Sequence, residues 1–329
     1  SNPLTPAFTP AARVLRFLAS GTSRVILGIC FASLAGLWVW HDVEWGTLAI
    51  QLNDLSVVYF LISLSLFSIA MAMRVYRWQV LFLGEKLPFH RLLLIQNAGI
   101  GLNSLSPVRV VGEAAQFILL TFRYRVKRED AIATLGIQRV LDFVVGGLLL
   151  SIGLVFVPAL QDFIWYILGS ITMAFVSIGA VGLVIWSKGI PGLNRLPLLV
   201  STAESLRHLI GARSQLASSV GLTLGYWLLL GLSAWVLASG MGIEISILVA
   251  TLLIVGTMGF VGVIPSLPAS VGTFEFAIYH TLKAFGVGSA EALGFGLVVH
   301  AIIFIPPIII AVLMFGSLPF KSGTKTVAS

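Results

Sequence analysis

The chain has 329 residues, of which 58% are apolar and only 10% charged, with a mean hydropathy of +1.02. Soluble domains carry roughly 25% charged residues, so 20 basic and 13 acidic side chains are too few to coat a water-soluble globule of this size. The composition excludes a pair of soluble domains and points to an all-α polytopic membrane protein, because backbone in lipid must satisfy its own hydrogen bonds. The net charge is +7. The basic residues sit in loops between apolar runs, which suits anchoring against anionic lipid head groups rather than nucleic acid. Cys30 is the only cysteine, so intramolecular disulfides and cysteine-cluster metal sites are excluded.

In chain order, residues 1–23 read as a cytoplasmic segment with an interfacial helix. Thr9-Pro10 is a suitable start, and Val14, Leu15, Phe17 and Leu18 alternate with Arg13 and Arg16. Residues 24–318 form one membrane domain, and 319–329 a cytoplasmic tail. Six full-length spans are expected near 24–40, 56–73, 131–156, 163–186, 214–238 and 291–317. Two further apolar stretches, 92–122 and 246–285, are broken near their middles by Pro and Gly. Halves such as 92–106 and 108–122 have about 15 residues, too few for a ~30 Å hydrocarbon core. These stretches are expected to be re-entrant hairpins or discontinuous helices. Ser201-Thr-Ala-Glu204 has capping-box spacing and predicts a second interfacial helix through Leu206, Leu209 and Ile210, with Arg207 and Arg213.

Loop charges give direction. Arg13, Arg16 and Arg24 precede the first span, and 41–55 holds Asp42, Glu44 and Asp54 without Lys or Arg. Loops 74–91, 123–130 and 187–213 are basic, whereas 157–162 and 239–245 have no basic residue, and the tail carries Lys321 and Lys325. The alternation obeys the positive-inside rule with both termini cytoplasmic, in the inner or plasma membrane of a cell. It works only if 92–122 dips from the cytoplasm and 246–285 from the opposite side.

The broken segments also align without gaps at an offset of 161: Gly101 with Gly262, Pro107 with Pro268, Ala131 with Ala292, and Arg139 with His300. Gly112 and Glu113 meet Gly272 and Glu275 only after shifts of one residue each, in opposite directions. Repeat one then covers about 56–156 and repeat two about 214–317, linked by 157–213, each reading span, broken hairpin, span. Opposite orientation makes this an inverted-topology repeat, with a binding site expected in a polar cavity between the two broken segments near the midplane.

A charge at the centre of a membrane helix costs about 2.5–3.5 kcal/mol, so intramembrane ionisable residues are candidate functional groups. Arg109 and Glu113 lie four apart and can pair, as can Arg139 and Asp142, three apart. Either pair is a neutralised lock between helices or part of a site. Glu275 lacks a local counter-charge; it could neutralise Arg109 or Arg139 across the repeats, or take up a proton. Asn97 and Asn103 suit hydrogen bonding to a broken hairpin's backbone. Arg74, Arg77 and Trp78 suit either interfacial anchoring or phosphate capture. His41, Asp42 and Glu44 read as an exposed outer loop rather than a metal site. Walker A, HExxH and GxSxG motifs are missing, and neither a metal nor a cofactor is expected.

Taken together, Arg74-x-x-Arg77-Trp78, Ser106-Pro-x-Arg109-x-x-Gly112-Glu113, Gln138-Arg139-x-x-Asp142 and Pro268-x-x-x-Gly272-x-x-Glu275 resemble the lysylphosphatidylglycerol synthase transmembrane, or flippase-like, family. The resemblance covers about residues 20–318. It implies a lipid-translocating fold with two re-entrant hairpins, and in the best-known members transfer of aminoacylated phosphatidylglycerol to the outer leaflet. It also implies a stand-alone member without the soluble synthase domain, and so not a synthase by itself. Gln138 stands where an acidic residue is common, Gln116 where a basic one often follows, and His300 replaces a frequent arginine. These departures weaken transfer of the lysyl-lipid substrate more than transfer of the fold.

The expected function is binding and translocation of an amphiphilic phospho- or aminoacyl-lipid, its head group crossing the polar cavity while its tails stay in the bilayer. Arg109, Arg139 and Arg77 would hold a phosphate, and Glu113, Glu275 and Asp142 would balance them or meet a cationic head group; Asn103 and His300 complete the candidate substrate site. Partners would be membrane lipids, with a homo-oligomer and a separate synthase both compatible with the sequence. Two other classes stay open: a membrane transferase on a lipid-linked substrate, and a small-solute channel.

Overall fold

The structure is a computed structural model, and it describes residues 45–84, 87–106, 110–158, 161, 164–187, 195–263 and 268–316. The expected N-terminal interfacial helix, the span at 24–40, the outer-loop His41, Asp42 and Glu44, the tail, and Arg109 lie outside the described residues. Every regular element among the described residues is helical. They are α1 (Trp45–Asn53), α2 (Val57–Val80), α3 (Phe89–Leu105), α4 (Val111–Ile118) with a π-helical turn (Leu119–Arg123), α5 (Arg128–Phe156) and α6 (Ile164–Trp186). There follow α7 (Pro197–Gly211), α8 (Arg213–Gly240), α9 (Ile247–Val263), α10 (Thr273–Ala284) and α11 (Ser289–Gly316).

Five of these, α2, α5, α6, α8 and α11, are long and apolar enough to cross a membrane. The bundle is apolar outside as well as inside: Val57, Phe122, Val155 and Phe175 are among its most exposed side chains. Such surfaces suit lipid, where no aqueous driving force asks for polar cover. On α6 only Ile167 is buried. Trp165 and Trp186, at its two ends, are both exposed. The 21 steps from one to the other rise about 32 Å at 1.5 Å per residue, the spacing of two interfacial aromatic belts.

The bundle is organised around α2 and α8, which run antiparallel. Tyr59 lies against Gly240, and Met73 against Gly225. Between them, Ser63 Oγ donates to Ser233 O at 2.9 Å and Ser233 Oγ returns a bond to Ser63 O at 2.8 Å. The next contacts trade partners: α3 packs along α11, and α9 packs on α5. Gly101 makes the first of these possible, because a Cβ there would sit 2.3 Å from the carbonyl oxygen of Pro307.

Both apolar stretches marked as broken are broken. The first divides into α3 and α4; the second divides into α9 and α10 with a 3₁₀ turn at Pro268–Ser270 between them. At 1.5 Å per residue, arms of 17, 8, 17 and 12 residues rise about 26, 12, 26 and 18 Å, each below the ~30 Å core. The second break places Ala269 and Ser270 in the left-handed region (φ 57° and 61°), a costly conformation for residues with a Cβ. Gly272 follows at φ 80° and caps α10, where glycine adopts that angle freely. The Pro268–Ser270 turn touches α3, so the two broken segments meet.

One element starts elsewhere than its motif suggests. The helix containing Ser201-Thr-Ala-Glu204 begins four residues earlier, with Pro197 in its first turn, where a missing N–H costs nothing. Ser201 therefore lies inside α7, its hydroxyl donating back to Pro197 O and Leu198 O. Thr202, Ala203, Leu206 and Leu209 are buried where α7 meets α5 and α6, and Ser205 Oγ donates to Asp130 Oδ1 at 2.7 Å.

Candidate functional site

Gln138, Arg139 and Asp142 occupy one turn of α5. Asp142 is 14 residues from the start of the helix, about 21 Å along a 29-residue element. A carboxylate at that depth needs compensation, and α2 supplies it. Arg77 donates from Nη1 to Asp142 Oδ1 at 2.5 Å and from Nη2 to Oδ2 at 3.4 Å, a two-pronged contact. Arg74 Nη2 adds a third bond at 3.3 Å. Arg77 is fully buried, and it also donates to Thr223 Oγ1 and Gln138 Oε1, both at 3.2 Å. Arg74 Nη1 donates to the Tyr226 hydroxyl at 2.9 Å. One network thus ties α2, α5 and α8 together inside the bundle.

This corrects two readings of the sequence. Asp142 takes its counter-charges from Arg74 and Arg77 rather than from Arg139. The two arginines hold a buried carboxylate rather than serving as surface anchors: on α2 they lie three apart, on the face turned toward α5 and α8.

The first hairpin supplies the other wall. Its arms touch because Gly99 and Gly112 lack side chains: a Cβ on Gly112 would lie 2.1 Å from Gly99 O, and one on Gly99 would lie 2.3 Å from Gln116 Nε2. Asn103 bridges the break, its Oδ1 accepting from Gly112 N at 2.6 Å and its Nδ2 donating to Glu113 Oε2 at 2.9 Å. Asn97 Nδ2 donates to Leu93 O at 2.9 Å within α3. Both asparagines therefore satisfy hairpin backbone. Glu113 Oε1 then accepts from Arg139 Nη2. Among the described residues the partner of Glu113 is Arg139, 26 positions away, which also replaces the expected Arg139–Asp142 pair.

Between these walls lies a small cleft with a volume of about 30 Å³. Its polar lining comes from Arg74 on α2, Gln96 and Asn103 on α3, Gln116 on α4, and Gln138, Arg139 and Asp142 on α5, with Ile100 and Leu135 as apolar neighbours. The expected cavity between the two broken segments is thus placed differently: all these residues lie within 74–142, and the second hairpin contributes none of them. The cleft is open at one end, where the Arg139 side chain is 47% exposed. Leu105, Val110, Val111 and Ile118, on the hairpin that carries Asn103 and Glu113, are exposed.

Glu275 and His300 form a second, separate polar pair. Glu275 Oε1 contacts His300 Nδ1, and Glu275 Oε2 accepts from Gly272 N at 2.8 Å, closing the first turn of α10. Phe274 and Phe304 cover the imidazole, with ring centroids 5.0 and 4.5 Å from it. Glu275, expected to lack a local counter-charge, has an imidazole partner 25 residues ahead. At the offset of 161, His300 is the counterpart of Arg139, and Glu275 that of Glu113 within the shift noted above. One pair joins α4 to α5 and the other joins α10 to α11. They differ in access: side-chain exposure is 47% and 29% for Arg139 and Glu113, but 11% and 12% for His300 and Glu275.

Of the eight residues singled out from the sequence, Asn103, Arg139 and Asp142 line the cleft, Glu113 binds two of its walls, and Arg77 supports Asp142 from behind. Glu275 and His300 lie together elsewhere, and Arg109 lies outside the described residues. Gln96 and Gln116 were not anticipated as cleft residues. Both are carboxamides inside an apolar broken segment, and Gln116 also departs from the basic residue that the resemblance leads one to expect there. Gln96 is only 3% exposed, and neither carboxamide atom has a partner among the described residues. Leaving a buried polar group unsatisfied costs about 1–3 kcal/mol, so its presence facing an open cleft calls for a ligand or water. Among the described residues no group of three or more His, Cys, Asp or Glu comes together as a metal site would require.

A family model described as the lysylphosphatidylglycerol synthase TM region matches residues 25–311. No curated protein and no solved structure matches the chain.

Proposed function

The chain belongs to the lysylphosphatidylglycerol synthase transmembrane family, and from that premise we propose that it translocates a membrane lipid, passing the head group through the polar cleft while the tails remain in the bilayer. The observation that carries this reading is a charged, hydrogen-bonding cleft at mid-depth of a helix bundle whose outer surface is apolar. A charged cleft inside a bundle with an apolar outer surface suits an amphiphile, head group in the cleft and tails outside; a solute channel would ask for a polar path closed to lipid. The free face of the Arg139 guanidinium suits a phosphate. Arg109, four residues before Glu113 in the sequence, is a further candidate for that role.

The second part of the proposal is an inverted repeat, α2 to α5 against α8 to α11. Three features support it. The corresponding helices α2 and α8 run antiparallel; α3 on α11 is exchanged for α9 on α5; and Glu113–Arg139 has its counterpart in Glu275–His300. With the basic loops in the cytoplasm, the first hairpin dips from that side and the second from the opposite side. One accessible and one covered pair then correspond to one open and one closed half, as alternating access requires.

Head-group-labelled phospholipid in proteoliposomes tests the first part. Wild-type protein is expected to speed loss of outer-leaflet asymmetry, and Arg139→Ala to reduce that rate about tenfold or more, the loss of one charge-assisted contact of ~1.5–3 kcal/mol. Equal rates for wild type, Arg139→Ala and protein-free vesicles would remove the proposal.

A further inference from the structure

We infer that the cleft selects an anionic, hydroxyl-rich head group, a phosphodiester-linked polyol or sugar, and discriminates against a cationic aminoacyl one. The inference rests on the lipid-translocation reading above and names the chemistry of its substrate.

The first argument is charge. The described network holds three cations, Arg74, Arg77 and Arg139, against two carboxylates, Asp142 and Glu113. Both carboxylates are occupied. Asp142 receives three hydrogen bonds from the two α2 arginines, and Glu113 receives one from Asn103 and one from Arg139. An ammonium group entering the cleft would find no carboxylate without a cation already on it. A phosphate finds the part of Arg139 not engaged by Glu113.

The second argument is the lining itself. Four carboxamides, Gln96, Asn103, Gln116 and Gln138, line the cleft; the last three already bond protein groups, whereas Gln96 does not among the described residues. A carboxamide offers a donor and an acceptor side by side, and a hydroxyl also donates and accepts, so the two match; an ammonium only donates. Gln96 makes the match specific. Its side chain is buried at the cleft, and both of its polar atoms lack a partner among the described residues. A neighbouring pair of hydroxyls on a glycerol or sugar ring would satisfy both atoms at once.

The test is retention and transport by the full chain in lipid nanodiscs and proteoliposomes. The probes are phosphatidylglycerol, phosphatidylinositol, lysyl-phosphatidylglycerol and phosphatidylcholine at equal mole fraction. Phosphatidylglycerol and phosphatidylinositol are expected to be retained about tenfold over the other two. Gln96→Leu is expected to lower that preference about threefold to tenfold, the range of one lost neutral hydrogen bond. Gln116→Leu, on the opposite arm, probes the same lining should Gln96→Leu fail to fold. Preferential retention of lysyl-phosphatidylglycerol, or an unchanged preference in a folded Gln96→Leu or Gln116→Leu protein, overturns the head-group inference and leaves translocation standing. Transport of every probe by the wild-type protein no faster than in protein-free vesicles would overturn the translocation reading itself.

Discussion

Arg139 pairs with Glu113, 26 residues away on the second arm of the preceding hairpin, and not with Asp142, three residues along its own helix. The pair joins α4 to α5 at the open end of the cleft. Half-exposed ion pairs contribute little to stability, about 0.5–1 kcal/mol. A double-mutant cycle with Arg139→Gln and Glu113→Gln, read by thermal unfolding in detergent, is therefore expected to give a coupling in that range. Transport is expected to fall far more than stability in each single variant. Coupled losses of several kcal/mol would recast the pair as a structural lock.

Asp142 is the opposite case. It is the described counter-charge of Arg77, which is fully buried. Asp142→Ala strands that guanidinium, and removing one partner of a buried pair costs about 3–5 kcal/mol. A lowering of the unfolding midpoint well beyond that of Arg139→Gln is expected. Asp142→Asn, which keeps an acceptor, should be milder than Asp142→Ala.

Gly112 is expected to tolerate no side chain. A Cβ there would lie 2.1 Å from Gly99 O and 2.6 Å from Asn103 Cγ. Gly112→Ala should push the two arms apart at a cost of about 1–3 kcal/mol and release the Asn103 bridge. Gly136→Ala serves as the control, because nothing lies within 4 Å of a Cβ at that site. Equal unfolding midpoints for the two variants would contradict the close contact.

Glu275 both caps α10 and contacts His300. Glu275→Gln retains an oxygen for the Gly272 N–H, whereas Glu275→Ala loses it, and a lost cap costs about 1 kcal/mol. The alanine variant is expected to be the less stable of the two by roughly that amount in thermal unfolding.

Orientation can be read by labelling. In a Cys30→Ser background, Lys127→Cys should react with membrane-impermeant maleimide only after the cytoplasmic face is opened, and Glu244→Cys in intact cells. The same sidedness for both positions would contradict the proposed inverted arrangement.

Composition and pattern alone determined that this is a helical membrane protein, where its long helices run, and that two apolar stretches break. Proline, glycine and a shortage of charge act locally or through the solvent, so each can be read one segment at a time. The pairing of charges could not be read that way. Spacing along one helix nominated Arg139 with Asp142, but adjacency in a folded bundle is set by which helices pack together. The antiparallel packing of α2 on α8 brings Tyr226 and Thr223 to Arg74 and Arg77, whose guanidinium groups reach Asp142 on α5. Gln96 is unremarkable as a letter in an apolar run, and Gln116 stands out only as a departure from a basic residue. Only the close approach of α3 and α4, allowed by two missing side chains, turns them toward one cleft and leaves a buried carboxamide without a partner.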